Sequence, residues 1–170
     1  MSHPRSKLIY LLGFMGSGKT TVGTQLAQAL SWPFIDLDAT LEAGQGMSIR
    51  QIFEQAGEPF FREIEHAALQ EVSKAQPAVV ALGGGTFAQE ANLELIQKTG
   101  GATIWLDCPV EELQRRCEGL TTRPLFRDAP SFRQLYEYRT QFYRLADHHI
   151  STAGMAPHDV VEQILRLNLF

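Results

Sequence analysis

A glycine-rich loop near the N-terminus constrains the fold more than any other feature of the sequence. Residues 13–20, GFMGSGKT, fit the pattern GxxxxGK[ST], whose glycines let the backbone wrap closely around a polyphosphate. The loop follows an apolar run at 7–12 and leads into an amphipathic stretch at 19–30, in which Val22 and Leu26 share one face. A strand before the loop and a helix after it are the context that phosphate binding needs, because the first N–H groups of the helix supply positive potential. A glycine-rich turn beside a surface lysine is the less favoured interpretation, so the chain is predicted to bind a nucleoside triphosphate.

Short apolar runs alternate with longer amphipathic stretches along the chain, which is typical of a parallel sheet with helical crossovers. Five strands are predicted, at 7–12, 33–37, 78–82, 102–106 and 149–151. Helices are predicted at 19–30, 48–56, 59–73, 89–98, from Pro109 onward, at 131–146 and at 157–167. Between about 118 and 130 the pattern gives way to Gly, Thr, Pro, Asp and Arg, which is typical of a mobile loop. A chain of 170 residues with this pattern is predicted to form one α/β domain.

The overall charge and composition exclude several classes of protein. The chain has 15 Lys and Arg residues against 19 Asp and Glu residues, a formal net charge of -4 that argues against a general nucleic-acid binder. Positive charge is nevertheless concentrated at 115–144, where seven arginines face three acidic residues. Cys108 and Cys117 suit neither a zinc site nor a disulfide framework. The longest apolar run, 8–12, is far shorter than the ~20 residues that span a bilayer, and no signal-peptide pattern precedes it. We therefore expect a cytoplasmic protein without membrane or nucleic-acid partners, and a monomer, because no long apolar face is left unassigned.

Two acidic residues lie at the end of the second predicted strand. Asp36 and Asp38 are two positions apart, so the alternation of a strand would point both carboxylates to the same side. Ligands of parallel sheets collect at the carboxyl ends of the strands, where the glycine loop also begins. The pair would suit Mg2+ or a polyol, and a helix N-cap beside one solvated acid is an equally open interpretation. Asp36 is the candidate metal ligand, whereas Asp107, which ends a later strand, is predicted to be structural.

Two further segments suggest a site for an acceptor molecule. Arg62 lies three positions before Glu65, so the two side chains share a helical face. An arginine held by a carboxylate is fixed in orientation and can bind a substrate carboxylate with two hydrogen bonds. The alternative is an ordinary ion pair on the surface of a helix. The glycines at 83–85 follow a buried strand and either offer free N–H groups to a ligand or form a flexible turn.

Together these features resemble a known family, the shikimate kinases, which belong to the nucleoside monophosphate kinase-like group of P-loop proteins. The resemblance runs from about Ile9 to Leu165 and rests on the segments GFMGSGKTTVG, FIDLD, GMSIRQIFEQAGEPFFREIE, LGGGTF, TTRPLF and YRTQFYRLAD. It implies a three-layer P-loop kinase fold, in which a five-stranded parallel sheet of order 2-3-1-4-5 is covered by helices on both faces. The implied parts of this single domain are a core at about 7–168, a shikimate-binding segment at about 36–65 and a mobile lid at about 118–130.

The resemblance also implies a role for each site residue. ATP would be bound by Gly16, Ser17, Gly18, Lys19, Thr20, Thr21, Arg116 and Arg123, with Arg116 against the adenine ring and Arg123 closing over the phosphates. Mg2+ would be bound by Thr20, with Asp36 in its outer shell. Shikimate would be bound by Asp38, Arg62, Gly84, Gly85, Arg139, Phe53 and Phe61. In this set Arg62 and Arg139 would hold the carboxylate, the two phenylalanines would wall the pocket, and Asp38, Lys19 and Arg123 would be catalytic.

The activity implied is phosphorylation of the 3-hydroxyl of shikimate by ATP, with Mg2+ as cofactor, in the pathway to chorismate and the aromatic amino acids. A gluconate or other small-polyol kinase on the same fold is the alternative. A non-catalytic nucleotide-binding module is the alternative from another class. The turn before the last helix often carries a basic residue in the family, and this chain has Met155 there, so Met155 is not assigned to the site.

Overall fold

Five parallel strands form the central sheet of the protein. The computed structural model describes residues 5–118 and 129–170. The strands are β1 (Leu8–Leu12), β2 (Phe34–Asp36), β3 (Ala78–Ala81), β4 (Ala102–Asp107) and β5 (His148–Ser151). They are hydrogen-bonded in the order β2-β3-β1-β4-β5, and every neighbouring pair is parallel. The predicted sheet and its strand order are confirmed.

Seven helices surround the sheet in the described ranges. They are α1 (Lys19–Leu30), α2 (Leu37–Gln45), α3 (Ile49–Val72), α4 (Glu90–Thr99), α5 (Val110–Cys117), α6 (Ala129–Tyr143) and α7 (Pro157–Arg166). A 3-10 turn at Thr86–Ala88 precedes α4. Among the helices of the two described ranges, none has an apolar stretch long enough to cross a membrane.

The sheet separates two hydrophobic cores because side chains of β1 alternate between its faces. Tyr10 and Leu12 belong to the core that also contains residues of α3, α4, α5 and α6. Ile9 and Leu11 belong to the opposite core, which is closed by α1 and α7. Every residue of β1 is buried, since helices cover both faces of a parallel sheet and leave no side for polar residues. The sheet and the helices on its two faces form three layers. They hold the carboxyl ends of β1, β2 and β3 in fixed positions at the same edge of the sheet.

The region between β2 and α3 differs from the sequence prediction. The second strand ends at Asp36, and α2 begins directly after it. Asp36 is the N-cap of α2, because its side chain accepts a hydrogen bond from the N–H of Ala39 at 3.1 Å. Asp38 therefore lies in the first turn of a helix, and the argument from strand alternation was wrong. The alternative that one of the two acidic residues is a helix N-cap, which the sequence left open without saying which, is confirmed for Asp36.

The long helix α3 joins the two helices predicted at 48–56 and 59–73. Ser48 caps it with a capping box shared with Gln51. Gly57 interrupts it with φ 81° and ψ 170°, and Pro59 follows in the first turn of the second half. The break changes the direction of the chain just before Arg62. The predicted lid, at about 118–130, falls mostly at 119–128, outside the described residues.

Candidate active site

The glycine loop connects β1 to α1 at the edge of the sheet. Gly16 and Gly18 have φ values of 82° and 95°, which side chains rarely tolerate. Gly18 is also the N-cap of α1 and forms no side-chain cap hydrogen bond, so the positive end of the helix faces the loop without a capping side chain. The amino group of Lys19 donates to the carbonyl oxygens of Gly13 at 2.7 Å and Phe14 at 3.2 Å. The loop thus lines the cavity, and the amino group of Lys19 is held against the backbone of the loop itself.

Helix α5 supports the loop from outside the sheet. The guanidinium of Arg116 donates to the carbonyl oxygen of Gly16 at 2.8 Å and forms an ion pair with Glu112. The thiol of Cys117 donates to the carbonyl oxygen of Met15 at 3.6 Å. Arg116 therefore lies where the glycine loop turns into α1, at the rim of the same cavity as Lys19.

Two oxygen ligands meet beside the start of α1. The hydroxyl of Thr20 donates to Asp36 Oδ2 at 3.0 Å, while Asp36 Oδ1 caps α2. The carboxylate is held on both sides, so it faces the loop in a fixed orientation. Hydroxyl and carboxylate oxygens are the hard ligands that Mg2+ prefers. The structure therefore brings together the two residues predicted for the metal.

The triple glycine after β3 lies against three charged side chains. A Cβ atom on Gly83 would be 2.7 Å from Asp38 Oδ1, and one on Gly84 would be 2.8 Å from Arg139 Nη1. On Gly85 it would be 2.6 Å from Arg62 Nη2 and 3.0 Å from Arg139 Nη2. A side chain at any of these positions would displace the ends of the charged groups, so glycine lets them approach the backbone itself. The turn thus carries a carboxylate at one end and two guanidinium groups at the other.

Arg62 is held in place by its neighbours on α3. Its Nη1 donates to Glu65 Oε1 at 2.9 Å, and its Nη2 lies 3.4 Å from Glu58 Oε1. The guanidinium carbon is 5.2 Å from the centre of the Phe61 ring, which adds a cation–π contact. Nε is buried and has no hydrogen-bond partner among the described residues. The predicted Arg62–Glu65 pair is present, and it lines the cavity rather than a solvated helix surface.

Glu65 is 1% exposed and reaches a second partner, the hydroxyl of Thr86, at 2.8 Å. Burial raises the pKa of this carboxyl, while the positive charge of Arg62 and the two hydrogen bonds oppose that shift. The arginine thus favours the ionised form, which is the form that accepts hydrogen bonds from both partners. Thr86 was not predicted as a supporting residue, although its position directly after the triple glycine is a usable signal.

Arg139 approaches the same point from α6. It is only 6% exposed, and its guanidinium carbon lies 5.6 Å from the centre of the Phe14 ring. Burial lowers the pKa of Arg139, and the nearby positive charge of Arg62 lowers it further. The buried guanidinium group of Arg139 and the partly buried one of Arg62 converge on Gly85 and repel each other, and an anion between them would remove that repulsion. This end of the turn is therefore suited to a carboxylate.

One cavity of about 420 Å3 joins the two halves of the site. From the predicted nucleotide set it is lined by Gly16, Gly18, Lys19, Thr20, Thr21 and Arg116. From the predicted acceptor and metal sets it is lined by Asp36, Asp38, Phe53, Phe61, Arg62, Gly84, Gly85 and Arg139. Ser17 is buried within the loop instead, and its hydroxyl has no partner among the described residues. Arg123 lies outside the described residues.

A glycine loop between a strand and a helix, beside a carboxylate and a cationic acceptor pocket, defines a P-loop phosphotransferase. The family model described as Shikimate kinase matches residues 15–168. A shikimate kinase of Persephonella marina is 40% identical over 158 residues, which cover 92% of this chain and 96% of that relative. The chain belongs to the shikimate kinase family.

Solved structures agree with this assignment. The shikimate kinase of Acinetobacter baumannii in complex with shikimate has a TM-score of 0.91 and 37% sequence identity, and the match covers 95% of this chain and 92% of that one. A gluconokinase of Sinorhizobium meliloti has a TM-score of 0.63 at 20% identity, over 99% of this chain and 93% of that one, and so shares the fold.

Proposed function

We propose that the protein transfers the γ-phosphoryl group of ATP to the 3-hydroxyl of shikimate, giving ADP and shikimate 3-phosphate on the route to chorismate and the aromatic amino acids. The observation that carries this proposal is the shared cavity, in which a phosphate-binding loop faces a carboxylate and two convergent arginines. Shikimate has a carboxylate at one end of its ring and hydroxyls at the other, which matches the order of these groups along the glycine turn.

The nucleotide half of the reaction is served by the glycine loop. The N–H groups at 16–20 bind the phosphates, and Lys19 exchanges its contacts with Gly13 and Phe14 for phosphate oxygens. Thr21 lines the cavity in the first turn of α1. Arg116 lies at the rim, where an adenine ring would emerge from the loop. Phosphoryl transfer passes through a loose transition state, so positioning and charge neutralisation provide most of the catalysis.

The acceptor half depends on fixed charges. Arg62 and Arg139 bind the carboxylate of shikimate. The N–H groups of Gly84 and Gly85 donate hydrogen bonds to shikimate, and Phe53 and Phe61 pack against its ring. The two phenylalanine rings support this wall, since their centres are 4.7 Å apart. Asp38, at the other end of the turn, accepts a hydrogen bond from the 3-hydroxyl, aligns it and takes up its proton.

Mg2+ fits the residues that meet beside α1. Thr20 and Asp36 would hold it, with Asp36 in the outer shell. In the described ranges no group of three or more His, Cys, Asp or Glu residues could hold a metal ion. This agrees with Mg2+, which usually keeps several waters and takes other ligands from substrate phosphates. The ion would neutralise charge on the phosphate oxygens.

Arg123 is proposed as the third catalytic residue, alongside Lys19 and Asp38. It lies within 119–128, between α5 and α6, and both of those helices carry a cavity-lining arginine, Arg116 and Arg139. An arginine that approaches the transferred group from a closing segment typically contributes about 10³ to 10⁵ in rate. We therefore propose that 118–130 acts as a lid.

We also propose that the protein acts as a cytoplasmic monomer with only small-molecule partners. In the described ranges, the large apolar side chains exposed to solvent are Phe60, Tyr138 and Leu145. Obligate interfaces generally bury roughly 2,000 Å2 or more of largely apolar surface. Three exposed side chains cannot supply that area.

The proposed function is tested by ADP release with a panel of acceptors. Shikimate is expected to raise ADP release at least ~100-fold above the acceptor-free rate, because the closed site excludes water as an acceptor. Gluconate and a nucleoside monophosphate are expected to leave the rate near that background. The nucleoside monophosphate has no carboxylate, and the open chain of gluconate has no ring to pack against Phe53 and Phe61. Stimulation by gluconate alone would identify the polyol kinase. No stimulation by any acceptor, despite ATP binding, would identify a non-catalytic module.

A further inference from the structure

Each of the three carbonyl groups of the glycine turn accepts a hydrogen bond within the protein. The carbonyl oxygen of Gly83 accepts from the N–H of Thr86 at 3.1 Å, and that of Gly85 accepts from the N–H of Ala88 at 3.2 Å. The carbonyl oxygen of Gly84 has a different kind of partner, the hydroxyl of Tyr143 on α6. The peptide between Gly84 and Gly85 is thus fixed by a side chain rather than by the turn itself.

This hydrogen bond determines where the next N–H group points. A trans peptide is planar, so the N–H of Gly85 points opposite to the carbonyl of Gly84. Among the described residues none accepts a hydrogen bond from the N–H of Gly84 or of Gly85. A Cβ on either glycine would enter the space in front of Arg62 and Arg139. The turn therefore keeps its carbonyls bound and leaves two donors for a ligand.

Tyr143 is suited to this task by its burial and its position. It is 0% exposed and packs in the core beneath the sheet edge, with its ring centre 5.9 Å from that of Trp105. Burial raises the pKa of its hydroxyl strongly, so the group stays protonated and remains a donor at physiological pH. It follows Arg139 by four residues on α6, so the two side chains share a helical face.

We propose that Tyr143 is a positioning residue for the acceptor: by holding the Gly84 carbonyl it turns the Gly85 N–H group toward shikimate, beside Arg139 on the same helix. This inference rests on the proposed function, because the glycine N–H groups are assigned there to shikimate. Tyr143 does not itself line the cavity, so its effect passes through the turn.

The test is Tyr143→Phe, with Tyr10→Phe as its matched control. Tyr10 is also 0% exposed and lies in the same core, and its hydroxyl is hydrogen-bonded to Ser73 at 2.9 Å and Thr99 at 3.2 Å, away from the cavity. Both replacements keep the ring and its packing and remove one buried hydroxyl. Each is expected to lower Tm by about 2–4 °C.

Only Tyr143→Phe is expected to weaken shikimate binding. Its shikimate Kd and KM should rise about tenfold, while kcat changes less and the Kd of ADP stays within about twofold. Tyr10→Phe should leave all of these near wild-type values. The 13C chemical shift of the Gly84 carbonyl gives a readout independent of turnover, and it should move in Tyr143→Phe alone.

The outcomes separate this inference from the function on which it rests. Equal shikimate affinity in wild type and Tyr143→Phe would overturn the role of Tyr143 and leave the proposed function intact. An unchanged Gly84 carbonyl shift would also overturn it. A wild-type protein that binds ADP but not shikimate would instead overturn the proposed function.

Discussion

Asp38→Asn should lower kcat by about 10² to 10⁴, because an amide cannot take up the proton of the acceptor hydroxyl. The replacement keeps the size of the side chain and its place in the first turn of α2, so the fold and the glycine turn should persist. ATP binds mainly to the loop at 16–20, and its Kd is expected to change less than about twofold. Single-turnover kinetics with saturating shikimate, together with a separate ATP titration, measure the two effects.

Asp159→Asn provides the matched control for Asp38. Asp159 lies in the first turn of α7, is about half exposed and does not line the cavity. The same chemical change at an equivalent helical position should leave kcat and shikimate KM near their wild-type values. If Asp38→Asn turned over at a rate close to that of Asp159→Asn, Asp38 would have no part in the proton transfer.

Arg62→Lys should raise the KM of shikimate about 10- to 100-fold with a smaller effect on kcat. Lysine keeps the positive charge but has no planar fork, so it cannot bind the carboxylate bidentately and hold Glu65 at the same time. Loss of one charge-assisted hydrogen bond costs roughly 1.5–3 kcal/mol, which corresponds to this change in affinity. Initial rates over a range of shikimate concentrations, at saturating ATP, give the value.

Arg50→Lys separates this effect from a general change on α3. Arg50 pairs with Glu54 at 2.7 Å on an exposed part of the same helix. An exposed i,i+4 pair contributes about 0.3–0.5 kcal/mol, so its replacement should leave shikimate KM unchanged. If Arg62→Lys and Arg50→Lys had the same KM for shikimate, Arg62 would not hold the carboxylate.

Most of the fold could be predicted from the sequence because its signals are local. The glycine loop, the apolar strands and the capping box of Ser48 each depend on residues a few positions apart. The helix α2 was missed because it follows β2 without a turn, so the strand was predicted to run from 33 to 37 with both acidic residues at its end. The helix begins there because the Asp36 carboxylate caps it. A short polar residue at the end of a strand looks the same in sequence whether it caps a following helix or continues the strand.

The site could be predicted where its residues follow a family pattern or lie close in sequence, and less well where distant segments meet. The spacing of Arg62 and Glu65 indicated their ion pair. The burial of Glu65 follows from packing beside Thr86, 21 residues away, which no spacing rule reveals. The contact between Tyr143 and Gly84 spans 59 residues and was missed for the same reason.

The arginines concentrated at 115–144 have two different roles in the structure. Arg116 and Arg139 line the cavity, where anionic ligands would bind. Arg133 instead forms an exposed ion pair with Glu111 at 3.3 Å. The excess of arginines at 115–144 is therefore larger than the positive charge that faces the ligands, since part of it is neutralised by ion pairs on the surface.

The central claim is that the shared cavity carries a phosphoryl group from ATP to one hydroxyl of shikimate. Its most direct test is 31P–1H NMR of the products formed from ATP, Mg2+ and shikimate. The prediction is a single phosphate ester on the 3-hydroxyl, formed in a one-to-one ratio with ADP. ADP formed without that ester, or an ester on another hydroxyl, would contradict the assignment of Asp38, Arg62 and Arg139 to this acceptor.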